Sequence, residues 1–318
     1  MDKCHKFKES RRNFIRQATG AALGFGISGA TGFDARAALK DGGLVKLTIL
    51  HTNDTHSRVE PFPMDGSKYQ GLGGAARRAA LIGRIRAEEQ HVLLLDAGDI
   101  FQGTPYFNLY GGEVEMKLMT AMGYDAATMG NHDFDNGLEG FHKQLPHAGF
   151  PILCTNYDFS DTLMKGATLP YQVFRKGGMR IGVFGIGIEL KGLVADVNFG
   201  ATQYLDPLKT ANKTADLLRN ELDCDLVVCL SHLGYSYENK KVSDQVLAAG
   251  NRNIDLIIGG HTHTFMEVPE DVKNLAGGVT TINQAGFAGI NLGRIDYYFE
   301  KKRRSHVKFA APYLITNG

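Results

Sequence analysis

Residues 92–105 read V-L-L-L-D-A-G-D-I-F-Q-G-T-P. Val92 to Leu95 is a short continuous apolar run, the pattern of a strand buried on both faces. The run ends at Asp96, Gly98 permits a tight turn, and Asp99 stands just past the strand end. Upstream, Leu72 to Glu89 carries apolar residues at helical spacing, with Arg77, Arg78, Arg84 and Arg86 expected to face outward. A helix feeding a buried strand that ends in a glycine turn and a carboxylate is the unit of an α/β domain with a site at its strand ends.

The same unit recurs along the chain. Strand-like runs lie at Val45 to Leu50, Ala126 to Met129, Pro151 to Cys154, Leu226 to Leu230, Leu256 to Ile258, Val279 to Asn283 and Ile290 to Phe299. Glu113 to Met122 and Leu205 to Leu222 have helical periodicity. Tyr171 to Phe174 and Met179 to Phe184 flank Lys176, Gly177 and Gly178, which predicts an antiparallel hairpin and hence a mixed sheet. With no repeat, low-complexity linker or composition break, one domain is expected over residues 38–318.

Residues 1–37 differ. Lys3, Lys6, Lys8, Arg11, Arg12 and Arg16 precede a Gly- and Ala-rich, weakly apolar stretch from Ala18 to Phe33. Ser10 to Arg16 resembles a twin-arginine export signal, and Ala35-Arg36-Ala37 a peptidase site, so the mature chain is expected to begin at Ala38 in the periplasm or otherwise outside the cytoplasm. The glycine-broken run falls short of the roughly 20 strongly apolar residues that span a bilayer, so contact with a membrane is expected only through the export signal. Removing the segment takes away seven Lys/Arg and three Asp/Glu and moves the formal charge from +1 to −3. That balance argues against general nucleic-acid binding. Cys154, Cys224 and Cys229, an odd number on apolar runs, read as buried thiols. Lys301 to Arg304 reads as a solvated turn between two strands.

Five polar clusters directly follow predicted strands: Asp54 with His56, Asp99, Asn131 with His132, His232, and His261 with His263. Singly, each has an ordinary role as turn former, helix cap or core histidine. Together, with Gly98, Gly103, Gly130, Gly259 and Gly260 permitting close approach, they offer two carboxylates, an amide oxygen and four imidazoles. This set suits Mn, Fe, Co or Zn, with Mg also possible, rather than a structural thiolate site. Two divalent ions can be served if Asp99 bridges them, with Asp54, His56 and His263 on one and Asn131, His232 and His261 on the other.

The motifs G-D-I-F-Q-G-T-P at Gly98–Pro105, G-N-H-D-F-D at Gly130–Asp135 and G-G-H-T-H-T at Gly259–Thr264 resemble those of calcineurin-like metallophosphatases, in their 5'-nucleotidase branch. Asp54 to His56, Gly73-Gly74 and Asn283 to Gly286 follow the family's order. The resemblance implies a four-layer α/β/β/α sandwich of two mixed sheets and metal ligands at Asp54, His56, Asp99, Asn131, His232, His261 and His263. It implies hydrolysis of phosphate esters, of nucleotides in particular, by in-line attack of a metal-bound hydroxide. His132 is the expected catalytic residue, stabilising the phosphoryl group and leaving alkoxide, and Asp135 orients it. Full-length 5'-nucleotidases carry a second, nucleotide-binding domain, and no Tyr or Phe here is assignable to base stacking. Three expectations therefore stand: a self-sufficient enzyme on small phosphate esters, a catalytic subunit whose nucleotide-binding domain is a separate protein, and a non-catalytic metal-binding module.

Overall fold

The computed structural model describes residues 44–239, 241–300, 306–310 and 313–315. The expected leader at 1–37 and the basic cluster at 301–304 lie outside the described residues. The elements run β1 (Leu44–Thr52), α1 (Ala75–Glu88), β2 (Val92–Asp96), α2 (Pro105–Tyr110), α3 (Glu113–Met122), β3 (Ala126–Ala127), α4 (Gly137–Gln144), β4 (Tyr157–Asp158), β5 (Tyr171–Lys176) and β6 (Met179–Gly187). There follow β7 (Gln203–Tyr204), α5 (Pro207–Asp216), β8 (Leu226–His232), α6 (Asp244–Gly250), β9 (Leu256–Gly259), β10 (Glu270–Lys273), β11 (Val279–Asn283), β12 (Asn291–Glu300), β13 (His306–Ala310) and β14 (Tyr313–Leu314).

One sheet has the order β13-β12-β1-β2-β3 and the other β10-β11-β9-β8-β6-β5. In the first, β1, β2 and β3 are parallel, β12 runs antiparallel to β1, and β13 runs antiparallel to β12. In the second, β6, β8, β9 and β11 are parallel, and β5 and β10 add antiparallel edges. Both sheets are mixed, as the resemblance implied, and the predicted hairpin supplies an antiparallel edge of the second. The two-residue link Gly177-Gly178 between β5 and β6 has both φ values positive, at 60° and 83°. That backbone matches the right-handed twist of the strands it joins and suits glycine.

Side-chain alternation divides the interior into three layers of packing. Leu47 and Ile49 of β1, Leu93 and Leu95 of β2, and Ile295 and Tyr297 of β12 meet Ile181, Val228, Leu230 and Ile258 of the second sheet. On the far side of the first sheet, Leu50, Leu94 and Leu292 pack against Ile82 and Ile85 of α1, Met116 and Met119 of α3, and Phe141 of α4. On the far side of the second, Phe184, Val227, Cys229 and Ile257 pack against Ala211 and Ala215 of α5 and Leu247 of α6. The result is helix, sheet, sheet, helix. Among the described residues no helix is long and apolar enough to cross a membrane.

Several local expectations are corrected. Arg78 is buried rather than outward, with its guanidinium against Gly289, where a Cβ would fall 2.1 Å from Nη1. Pro151 to Cys154 is not a ladder strand. It makes single bridges to Ala127 and Leu169, because the Thr128 hydroxyl takes the Leu153 carbonyl at 2.7 Å. The run at Ala126 to Met129 pairs with β2 only over its first two residues, because β2 itself ends at Asp96. Cys154, Cys224 and Cys229 are buried free thiols, as expected.

His51, on β1 opposite Gly293, occupies the space a Cβ on that glycine would need. Its Nε2 lies 2.9 Å from the Asn283 amide nitrogen, and burial lowers its pKa from 6.5 to about 4. Between those values only the unfolded chain binds the proton, so stability falls as pH drops through this window. From pH 7 to pH 5 that cost is about 2 kcal/mol. Denaturant unfolding of His51→Gln should therefore show a pH loss smaller than wild type by about that amount. Equal pH dependence would mean that His51 becomes charged within the fold.

Candidate metal centre

Parallel pairing brings the carboxyl ends of β1, β2 and β3 to one edge of the first sheet, and those of β8 and β9 to one edge of the second. Asp54 and His56 leave β1, Asp99 leaves β2, and Asn131 lies just past β3. His232 ends β8, and His261 and His263 follow β9. Backbone strain concentrates here. Among the described residues nine non-glycine residues have positive φ, and five of them are Asp54, His56, Asp99, His261 and His263. Side chains with a Cβ resist that region, so the surrounding contacts must hold it.

The seven side chains expected as ligands are all brought together. Asp54, His56 and His263 form one cluster and Asp99, His232 and His261 another, each with donor atoms within 4.8 Å of one another. His56 Nε2 lies 3.0 Å from His263 Nε2, and His263 Nε2 lies 3.4 Å from Asp54 Oδ1. In the second cluster, Asn131 Oδ1 is 2.8 Å from His261 Nδ1. His56 Nε2 is 3.8 Å from Asp99 Oδ2, so Asp99 stands between the two groups. Phe287 stacks on the His263 ring at 5.0 Å.

These atoms are held from outside the cluster. The His261 N–H points at both Asp54 oxygens, at 3.0 Å each. The His132 N–H donates to Asp99 Oδ1 at 2.8 Å. His232 Nδ1 donates to the Ala97 carbonyl at 2.7 Å, which leaves Nε2 a lone pair. That buried Nε2 has no hydrogen-bond partner, although it sits 3.1 Å from Asp99 Oδ2 and 3.9 Å from Asp54 Oδ1. Lone pairs facing one another in a buried crevice require positive charge between them.

The titration directions report that field. Burial disfavours charge on His232, yet Asp99 and Asp54 raise its pKa to about 10. Burial works the other way on Asp99, but His232 and His56 hold its carboxyl well below the usual range. His261 is lowered to about 4 by burial and by His232, and His56 is lowered mainly by burial. One buried proton is thus demanded among several donors, and a divalent cation answers the same demand by displacing it. The residues present fit such ions.

His132 is not part of either cluster. It sits beside them, with its ring 5.3 Å from that of His56, and Nδ1 donates to Asp135 Oδ2 at 2.8 Å. Burial opposes its protonation, but Asp135 and Asp99 raise its pKa. The sequence reading missed Asp133, which lies within the G-N-H-D-F-D motif but received no role of its own. Its buried carboxylate accepts the N–H groups of Asp99, Ile100, Phe101 and Gly130 at 2.8–3.1 Å, tying the turn after β2 to the turn after β3. The turns touch closely enough that a Cβ on Gly130 would meet Asp99 Oδ1 at 2.2 Å.

The calcineurin-like phosphoesterase family matches residues 47–265, which include all seven clustered residues together with His132 and Asp135. A snake venom 5'-nucleotidase of Gloydius brevicauda is 36% identical over 87% of this chain and 49% of its own length. The 5'-nucleotidase precursor of Thermus thermophilus superposes with a TM-score of 0.78 at 34% identity, over 86% of this chain and 55% of that one. The NAD nucleotidase of Haemophilus influenzae superposes with a TM-score of 0.76 at 26% identity, over 86% and 50%. The chain spans about half the length of the curated 5'-nucleotidases it matches.

Proposed function

The chain belongs to the calcineurin-like phosphoesterase family, and on that premise we propose that it is a binuclear-metal phosphoesterase hydrolysing phosphate esters, with nucleotides as the preferred class. The observation that carries this reading is the pair of donor clusters at one sheet edge with a buried, unpartnered imidazole nitrogen between two carboxylates. Preference for nucleotides is drawn from the relatives that are 5'-nucleotidases.

In this reading Asp54, His56 and His263 would hold one ion, Asn131, His232 and His261 the other, and Asp99 would serve both. Bound there, divalent ions supply Lewis acidity toward phosphoryl oxygens and a water acidic enough to act as nucleophile in an in-line displacement. The chain's own residues do the rest. His132, protonated with the help of Asp135, presents Nε2–H toward developing negative charge on the phosphoryl group and the departing alkoxide. Asp135 fixes which nitrogen carries that outward proton, because Nδ1–H is committed to its carboxylate. The crevice is partly dry: Asp54, Asp99 and His232 are almost fully buried, so charges act there at low dielectric.

A second reading is that nucleotide selectivity rests on a nucleotide-binding domain outside residues 1–318, whether in this protein or in another; the chain matches about half the length of its 5'-nucleotidase relatives. The expected twin-arginine-type leader at residues 1–37 belongs to the same proposal, as the route by which a folded domain at 38–318 reaches the periplasm. An intact Met1 on exported protein, found by mass spectrometry, would reject cleavage.

The deciding experiment is turnover of aryl phosphates, nucleoside monophosphates and cyclic nucleotides with Mn, Zn, Co or Mg. Metal-dependent cleavage with nucleotide preference supports an autonomous nucleotidase. Cleavage of simple esters alone supports the need for a separate domain, and no cleavage leaves a non-catalytic metal-binding module. His132→Ala should keep both ions by elemental analysis while kcat falls about a hundredfold or more; undiminished turnover would remove His132 from the mechanism. Asp99→Asn should lower metal content at both sites, and loss of a single ion per chain would contradict the bridge.

A further inference from the structure

All three histidines contributed by the second sheet are tied to one buried side-chain pair outside both clusters. Gln284 follows β11 and is fully buried. Its Nε2 donates to the Gly260 carbonyl at 2.8 Å and to Asp244 Oδ2 at 3.2 Å. Its Oε1 accepts the Thr264 N–H at 2.9 Å and the Thr262 hydroxyl at 3.3 Å. The amide thus grips residues 260–264 at both ends, and between the grips lie His261 and His263 with φ of 70° and 52°. Asp244, the first residue of α6 and fully buried, also accepts the Ser231 hydroxyl at 2.5 Å, one residue before His232.

The polarity of the relay is fixed. The Thr264 N–H needs an acceptor, so the Gln284 amide has one allowed orientation, which turns its NH2 toward Asp244 and the Gly260 carbonyl. Asp244 must then accept from it. Gly259 is the residue that lets the pair meet, since a Cβ there would fall 2.1 Å from Asp244 Oδ2 and 2.8 Å from Gln284 Nε2.

We propose that Gln284 and Asp244 are positioning residues for the metal centre, holding His232 and the backbone-strained His261 and His263 where they would bind the ions. The inference rests on the metal-centre reading above. Groups that orient ligand histidines typically govern metal affinity by about 10- to 100-fold.

The test is Mn²⁺ affinity of the whole chain by chelator competition, with turnover followed as Mn²⁺ is raised. Gln284→Ala should weaken binding at both sites about tenfold or more, and excess Mn²⁺ should restore kcat. Asp244→Ala, which removes the acceptor of both Gln284 Nε2 and the Ser231 hydroxyl, should act in the same direction. The double variant should lose less than the sum of the two single losses, because the Gln284–Asp244 bond is already broken in either single variant. Wild-type affinity in folded Gln284→Ala, or additive losses in the double variant, would overturn the proposal. Should Gln284→Ala fail to fold, Ser231→Ala, which cuts only the link beside His232, must weaken affinity or the proposal fails. Absence of metal binding by the wild type would instead defeat the metal-centre reading itself.

Discussion

Asp54 and Asp99 are both buried in a crevice whose other walls are imidazoles, and that arrangement is stable only with positive charge among them. Two desolvated carboxylates repel each other and lose their hydration together. Backbone N–H groups aimed at their oxygens, from His261 to Asp54 and from His132 to Asp99, offset part of this cost. The remainder draws a proton onto His232 or a cation between the clusters. The strained φ values, the glycine contacts and the buried acid Asp133 all serve to hold donor atoms in positions they would otherwise leave.

Much of the centre was legible because it obeys a simple rule: a buried apolar strand, then a glycine or a turn, then a metal-binding side chain. That rule picked out Asp54, Asp99, His232 and His261 without a fold, and the spacing of the G-D, G-N-H-D and G-G-H-T-H motifs supplied the family resemblance. The supporting residues follow no such rule. Asp133, Asp244 and Gln284 act through backbone amides and carbonyls far away in sequence, and nothing in their local pattern marks which amides those are. Arg78 was misplaced for a related reason: helical spacing alone put it on the wet face, whereas its burial is set by the close approach of Gly289 from the turn before β12.

Element boundaries were legible where hydrophobic periodicity was long, as at Glu113–Met122 and Val279–Asn283, both found at the expected limits. They failed where a side chain competes with the backbone. Thr128 takes a carbonyl that a continuing ladder would have used, so an apolar run at Pro151 to Cys154 stays irregular. The short helices α2 and α6 were overlooked although each carries a start signal, Pro105 in the first turn and Ser243 as a cap accepting the Val246 N–H. Helices of six or seven residues offer too few repeats for periodicity to outweigh turn propensity.

The centre is divided between the two sheets. Asp54, His56, Asp99 and Asn131 come from the first and His232, His261 and His263 from the second, so neither sheet holds a complete ligand cluster. The distance across the crevice is therefore set by the layer of Leu, Ile, Val and aromatic side chains between the sheets. Interiors packed at crystal-like density transmit small displacements, so a change of one methylene in that layer shifts one half of the site against the other. Any cation held by both halves binds the folded arrangement and not the unfolded chain, and so adds its binding free energy to the packing of the two sheets. Core packing and the charge balance of Asp54 and Asp99 are in this way a single constraint: the apolar layer fixes where the donors face one another, and what neutralises them fixes the layer.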